Sequence, residues 1–93
     1  MMTNDNTPPD APKVQPRKGD PVTVEFEDLA KRILKGELKR RGITYAELAE
    51  RLKKVGVHEN ERNLNNKISR GGFSAAFLFQ CMVAMGANEL RLV

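Results

Sequence analysis

The sequence has little of what builds disulfide-stabilised or metal-stabilised proteins. It contains one cysteine, Cys81, one histidine, His58, and no tryptophan. A single cysteine cannot form a disulfide within the chain, which excludes disulfide-rich secreted scaffolds. One cysteine and one histidine cannot supply the four ligands of a tetrahedral zinc site. We therefore expect no metal or other cofactor.

Long apolar runs are absent as well. The longest nearly apolar stretch, Phe73–Ala87, is interrupted by polar residues, and it is shorter than the roughly 20 residues of a membrane-spanning helix. The first ten residues, MMTNDNTPPD, contain no apolar segment after the methionines and do not resemble a signal peptide. We expect a cytoplasmic protein that makes no contact with a membrane.

Proline is missing from most of the chain, because all five prolines lie within the first 21 residues. That segment also has few large aliphatic side chains, so it cannot bury enough apolar surface to offset the entropy of ordering it. The sequence predicts a disordered arm over residues 1–24 and one folded domain over residues 25–93. Three basic residues in the arm, Lys13, Arg17 and Lys18, leave open a second interpretation, in which the arm reaches along DNA.

Acidic residues are too few in the predicted domain to balance the basic ones. The chain has 16 Lys and Arg against 12 Asp and Glu, a net charge of +4. Residues 26–93 hold thirteen of the basic and eight of the acidic side chains, a net charge of +5. A small domain with this balance is typical of proteins that bind a polyanion.

Apolar residues recur with helical spacing along most of the predicted domain, and strand patterns are nearly absent before residue 88. We predict an all-α domain with helices at about 25–41, 45–55, 61–70 and 75–85, followed by a short extended segment or strand over 88–93. Polar residues at the expected N-caps are Thr44, Asn60 and Ser74, and Thr44 forms a capping box with Glu47. Glycines follow the predicted helix ends at Gly42, Gly56, Gly71 and Gly86.

The third predicted helix is unusually polar, with Leu64 and Ile68 as its only apolar residues. Asparagine presents a donor and an acceptor side by side, which matches the N6 and N7 edge of adenine, and arginine matches O6 and N7 of guanine. A polar helix of this width fits the major groove. An ordinary solvent-exposed helix carries the same residue types, so composition alone leaves both interpretations open.

Two segments carry a resemblance to a known family. GITYAELAERL, residues 42–52, resembles the second helix of helix-turn-helix proteins of the Cro and lambda-repressor type, and NKISRG, residues 66–71, resembles the end of their recognition helix. The resemblance covers about Leu34–Gly86, and the chain also resembles a short family of uncharacterised bacterial proteins on that fold. It implies a compact four-helix, lambda-repressor-like domain that binds duplex DNA through helix 3, as a small bacterial transcriptional regulator without enzymatic activity.

The same resemblance assigns the contacts with DNA. The residues at the start of helix 2 stand where the family binds phosphate, and those of helix 3 stand at base-reading positions or, near its end, at phosphate-binding positions. The implied DNA-binding residues are Thr44, Tyr45, Arg62, Asn63, Asn66, Lys67 and Arg70.

Two departures from the family pattern keep a second function open. Tyr45 replaces the usual glutamine, and it can reach phosphate through its hydroxyl or pack instead. The connection between helices 2 and 3 is longer than the family's tight turn, by roughly Lys53–Glu59. The alternative is a protein-interaction adaptor or antitoxin-like subunit that uses the scaffold without reading DNA.

Helix 4 is apolar on two sides. One side, with Phe77, Leu78, Cys81 and Met85, is expected to join the core. A domain this small cannot cover the other side as well, and exposed apolar patches commonly mark interfaces. We predict a homodimer whose interface residues are Phe79, Met82, Val83, Leu90 and Leu92. The alternative is that helix 1 or residues 88–93 fold back over Phe79 and Val83.

Overall fold

The computed structural model describes residues 20–92, so residues 1–19 of the predicted arm and Val93 lie outside the described part. The described residues form four helices: α1 Pro21–Arg41, α2 Tyr45–Lys54, α3 Glu61–Arg70 and α4 Ala75–Met85. No strand occurs over 20–92, so the tail is irregular there and the all-α prediction is confirmed. None of the four helices is both long and apolar enough to cross a membrane.

Helix α1 begins four residues before the predicted start. Asp20 is its N-cap, and Asp20 Oδ1 accepts a hydrogen bond from the Val22 N–H at 2.9 Å. Pro21 occupies the first helical position, where a missing N–H breaks no hydrogen bond. The prediction that residues 21–24 belong to a disordered arm is therefore wrong. Apolar periodicity alone does not reveal this start, whereas the Asp20-Pro21 pair indicates it.

The other three helices begin at the predicted caps. In each, a side-chain oxygen accepts a hydrogen bond from the backbone N–H three residues later: Glu47 to Thr44 at 3.1 Å, Asn63 to Asn60 at 2.8 Å and Phe77 to Ser74 at 3.0 Å. The predicted capping box forms only from one side. The Glu47 carboxylate binds Arg51 of the next turn at 3.0 Å, because an i,i+4 arginine offers it a charged partner.

Helices α1, α2 and α4 end in Schellman motifs, in which a left-handed residue turns the chain back over the last turn. At the end of α2, Gly56 has φ of +87°, and its N–H donates to the carbonyl of Lys53 at 3.0 Å. The Val57 N–H then donates to the carbonyl of Leu52 at 2.9 Å. The residue after each glycine packs on the core as a result: Ile43, Val57 and Ala87.

The core lies between the four helices. Helix α2 packs against α3 and α4, and α1 packs against the same two helices. The largest side chains without exposed surface are Leu34, Leu48, Leu52, Leu64, Ile68 and Cys81. Each fully buried aliphatic side chain of this size contributes about 1.5–3 kcal/mol of transfer free energy. Of the predicted core residues of α4, only Leu78 stays half-buried.

Two arginines stabilise the C-terminus of α4, which has no basic residue in its own last turn. Arg41 Nη1 donates to the carbonyl of Met85 at 3.3 Å, and Arg51 Nη1 donates to the carbonyl of Ala84 at 3.4 Å. Each arginine is held by an acidic residue one turn earlier in its own helix: Glu37 and Glu47. Cations from α1 and α2 thus satisfy carbonyls that a helix end leaves free, and they tie α4 to both helices.

Candidate nucleic-acid interface

Helix α3 has two opposite faces. Leu64 and Ile68 are fully buried, and they fix one face of the helix against the core. At about 100° per residue, the polar residues of the opposite face span roughly a third of the helix circumference. All of them are exposed: Arg62, Asn63, Asn66, Ser69 and Arg70. The sequence prediction of a polar, outward α3 face is confirmed.

The side chains at the centre of this face are uncommitted within residues 20–92. Seven lysines and arginines of that range form ion pairs with acidic residues: Lys31, Arg32, Arg40, Arg41, Arg51, Lys53 and Lys67. Arg62 and Arg70 form no ion pair with any described residue, and the side chains of Asn63 and Asn66 form no hydrogen bond there. Among residues 20–92, two cations and two amides of this face therefore have no side-chain partner.

Lys67 is placed differently from its neighbours on α3. Its Nζ lies 2.9 Å from Glu59 Oε2 and 4.8 Å from the centroid of the Phe77 ring. The ammonium group, assigned to phosphate from the sequence, is thus engaged within the domain. Sequence reasoning missed the pair with Glu59, because a separation of eight residues across a helix start leaves no periodic signal.

The connection between α2 and α3 spans residues 55–60, because Lys53 and Lys54 still belong to α2. Val57 anchors its middle against the core, and Glu59 anchors its end through Lys67. Asn60 then caps α3. The long connection is therefore held at three successive points, and it presents α3 from a fixed support.

The start of α2 carries the two other predicted DNA-contact residues, Thr44 and Tyr45. Thr44 is exposed, and its hydroxyl caps the helix as the sequence predicts. Tyr45 is half-buried and packs against the core, so the ring follows the packing alternative. Thr44 and Tyr45 lie on the helix that supports α3, at an end with free backbone N–H groups.

A second surface lies on the far side of α4 and on the tail that follows it. An apolar groove there is lined by Phe79, Met82, Val83 and residues 87–90. Phe79 is 57% exposed and Val83 64% exposed, and Leu90 and Leu92 are exposed too. Phe79, Val83 and Leu90 thus line one groove, Leu92 is exposed on the tail beyond it, and the dimer itself stays a prediction.

Met82 does not belong to the exposed part of that surface. It is only 5% exposed and forms part of the core, so its assignment to the outer face of α4 is wrong. The Schellman motif supplies the reason, because the Met82 carbonyl accepts the Ala87 N–H at 2.9 Å. This hydrogen bond folds Ala87 back over the last turn, and Met82 and Ala87 are buried together.

The single thiol lies away from both surfaces. Cys81 is fully buried on α4. Burial raises the pKa of its thiol to about 12, since a low-dielectric surrounding disfavours the thiolate. Lys67 lowers that pKa and Glu59 raises it, each by less than burial does. Cys81 therefore serves as a small core residue.

The comparison with known proteins gives a family match over the helical part of the chain. No curated protein and no solved structure matches the chain. The sequence profile of a domain of unknown function (DUF6471) matches residues 26–90, which contain most of α1 and the whole of α2, α3 and α4. The match covers well over half of the sequence, and the chain belongs to the DUF6471 family.

Proposed function

We propose that the protein binds duplex DNA by placing the polar face of α3 in the major groove. The observation that supports this most is that one short helix combines a fully buried apolar face with an exposed Arg/Asn face that has no ion-pair partner among the described residues. Asparagine is a mediocre helix former, and α3 contains three, Asn63, Asn65 and Asn66. Base recognition gives Asn63 and Asn66 a reason that helix stability does not, whereas Asn65 lies off that face and accepts a hydrogen bond from Ser69.

In this proposal the exposed residues have separate roles. Asn63 and Asn66 offer amides to adenine edges, and Arg62 offers a guanidinium to guanine. Arg70 and the N-terminus of α2 at Thr44 neutralise or bind phosphates. Lys67 becomes a positioning residue, since its contacts with Glu59 and Phe77 tie α3 to the preceding connection and to α4.

The resemblance to the Cro and lambda-repressor type adds the arrangement of α2 and α3 as a helix-turn-helix pair, in which α2 supports α3. A small regulator of transcription is the function that this arrangement and the basic charge support. The proposal includes a homodimer that joins two copies through Phe79, Val83, Leu90 and Leu92. A symmetric dimer implies a near-palindromic site with half-sites about 34 Å apart, or a multiple of that distance.

A titration of the full chain against random-sequence duplex, followed by fluorescence anisotropy at about 50 and 200 mM salt, tests the proposal. We expect binding at low salt that weakens steeply with salt, because phosphate contacts release counterions. Selection from a random library should then give a site that binds more tightly than random duplex. If no duplex binding occurs at about 50 mM salt, DNA recognition is excluded and the adaptor function takes its place.

A further inference from the structure

Helix α1 carries a second apolar stripe besides the face that packs on the core. Leu34 and Leu38 are buried, and they mark the core side of the helix. Four other apolar residues follow one another at spacings of four, three and four: Val22, Phe26, Leu29 and Ile33. They lie roughly a third of a turn away from the core side. Val22 is 60% exposed and Phe26 64% exposed, whereas Leu29 and Ile33 are half-buried, so the described residues leave most of this end of the stripe uncovered.

The alternation of four and three is the spacing of the apolar seam in a two-helix coiled coil. The next position in that series is Gly36, and a Cβ built there would have no atom within 4 Å. The side of α1 toward which the stripe continues is therefore open at Gly36. An apolar groove beside the stripe extends the surface through Ala30 and Phe73.

The stripe is complementary to itself in one register. If two copies of α1 run antiparallel with Phe26 of one opposite Leu29 of the other, then Val22 falls opposite Ile33. All four residues of each copy then have an apolar partner, and a two-fold axis passes between residues 27 and 28. A closed two-fold arrangement of this kind limits assembly at the α1 surface to two copies.

The charges beside the stripe fit the same register. Glu25 and Arg32 lie on one flank of the seam, seven residues apart, and in antiparallel pairing Glu25 of each copy faces Arg32 of the other. Arg32 Nε already binds Asp28 Oδ2 at 3.0 Å, but its side chain is 66% exposed and its guanidinium has further N–H groups. The opposite flank carries the small residues Thr23 and Ala30, which allow close approach.

A parallel arrangement fits less well. It places Arg32 of one copy beside Glu37 of the other, and Glu37 already holds Arg40 at 2.6 Å and Arg41 at 2.9 Å. It also places Glu25 beside Ala30, which offers no charge.

We propose that α1 is a self-association surface on which α1 of a second copy docks antiparallel through Val22, Phe26, Leu29 and Ile33. This surface is separate from the α4 interface, and it does not depend on DNA binding. With both surfaces occupied, the chain assembles beyond a dimer, because two different two-fold contacts on one protein join dimers to each other.

Sedimentation equilibrium of the full chain at about 100 μM tests the proposal in the Phe79→Asp background, which removes the α4 contribution. We expect the Phe79→Asp protein to remain in a monomer–dimer equilibrium. Adding Phe26→Glu should give a monomer, because each carboxylate would enter the apolar seam. Adding Val24→Glu is the matched control, since Val24 is 47% exposed on another side of α1, and dimers should persist.

A monomeric Phe79→Asp protein overturns the proposal, as do equal masses for the Phe26→Glu and Val24→Glu proteins. Circular dichroism melts of all three show whether the variants are folded. Charge reversal tests the direction of pairing. Glu25→Lys and Arg32→Glu should each weaken association, and the double variant should restore it. A double variant as weak as the single ones excludes the antiparallel register.

Discussion

The ammonium group of Lys67 lies 4.8 Å from the centre of the Phe77 ring, and the same group binds Glu59 at 2.9 Å. One side chain therefore joins three elements: the α2–α3 connection, α3 and α4. These contacts add to the cap at Asn60 and to the burial of Leu64 and Ile68, which hold α3 against the core. The Lys67 contacts therefore tie α3 to the preceding connection and to α4.

The first prediction concerns Lys67 itself. Lys67→Ala should lower the free energy of unfolding by about 1 kcal/mol, which sums a half-exposed ion pair and a cation–π contact. For a domain of this size that corresponds to a fall in Tm of about 4–8 °C. Arg70→Ala removes the other cation near the end of α3 and should change stability by less than about 0.5 kcal/mol. Equal Tm values for the two variants would show that the Lys67 contacts do not contribute.

A second prediction concerns the arginines at the end of α4. Arg41→Ala should lower stability by about 1 kcal/mol, because the Met85 carbonyl loses a charged donor. Arg40→Ala is the matched control, since Arg40 binds the same Glu37 at 2.6 Å and makes no such contact with α4. Its loss should cost less than the loss of Arg41, because an exposed ion pair contributes little. Urea denaturation of both variants measures the difference, and a larger loss for Arg40→Ala would contradict the assignment.

The sequence predicts the starts of α2, α3 and α4 because each start has a local cause: Thr44, Asn60 or Ser74 accepts an N–H three residues away. The start of α1 was missed, since apolar periodicity begins later than its cap at Asp20. Helical spacing assigns Met82 to the outer face of α4, but the Schellman motif folds Ala87, which lies beyond the helix, back over it. Position on a helical wheel cannot include that contact.

The polar face of α3 follows from sequence spacing, because Leu64 and Ile68 fix which side is inward. The engagement of Lys67 does not follow, since it depends on where the folded chain places Glu59 and the Phe77 ring. The C-terminal carbonyls of α4 that Arg41 and Arg51 reach are likewise brought close only by tertiary packing. The helix caps and the apolar core positions are thus predictable from this sequence, and the polar contacts between distant elements are not.

A third prediction uses the buried thiol. The ordinary pKa of a thiol is near 9, so well below pH 9 Cys81 is protonated in both the folded and the unfolded chain. Between pH 9 and about 12 the unfolded chain ionises while the folded chain keeps its proton, so stability falls as pH rises. The slope contributed by Cys81 is at most about 1.4 kcal/mol per pH unit.

Cys81→Ala removes this contribution to the pH dependence. The variant should be less stable at pH 7, because it leaves a small cavity, yet lose less stability than the wild type between pH 9 and 11. Urea denaturation at pH 7, 9, 10 and 11 gives both slopes. Parallel curves for the two proteins would exclude a raised pKa for Cys81.

A fourth prediction concerns the α4 surface. Phe79→Asp should lower the association state of the wild-type protein, since it places a charge in the apolar groove beside Val83 and Leu90. Gln80→Asp adds the same charge at an exposed neighbouring position of α4 and should leave association unchanged. Sedimentation at about 100 μM measures both. A mass that is insensitive to Phe79→Asp removes α4 from the interface.

The last prediction separates base reading from general attraction to DNA. Asn66 lies at the centre of the exposed face of α3, whereas Asn65 is displaced by about 100° and receives a hydrogen bond from the Ser69 hydroxyl at 3.0 Å. Asn66→Ala should weaken binding to a selected site by about 5- to 150-fold, the worth of one bidentate base contact, and weaken random duplex much less. If the effect of Asn66→Ala comes from a lost base contact, Asn65→Ala should change binding to the selected site and to random duplex by less than about twofold. Arg70→Ala should weaken both duplexes similarly and reduce the slope of log K against log salt by nearly one, because its target is phosphate. All three residues are exposed, so the Tm of each variant protein should stay near that of the wild type. If Asn65→Ala and Asn66→Ala weaken the selected site equally, the helix does not read bases from the face that the structure presents.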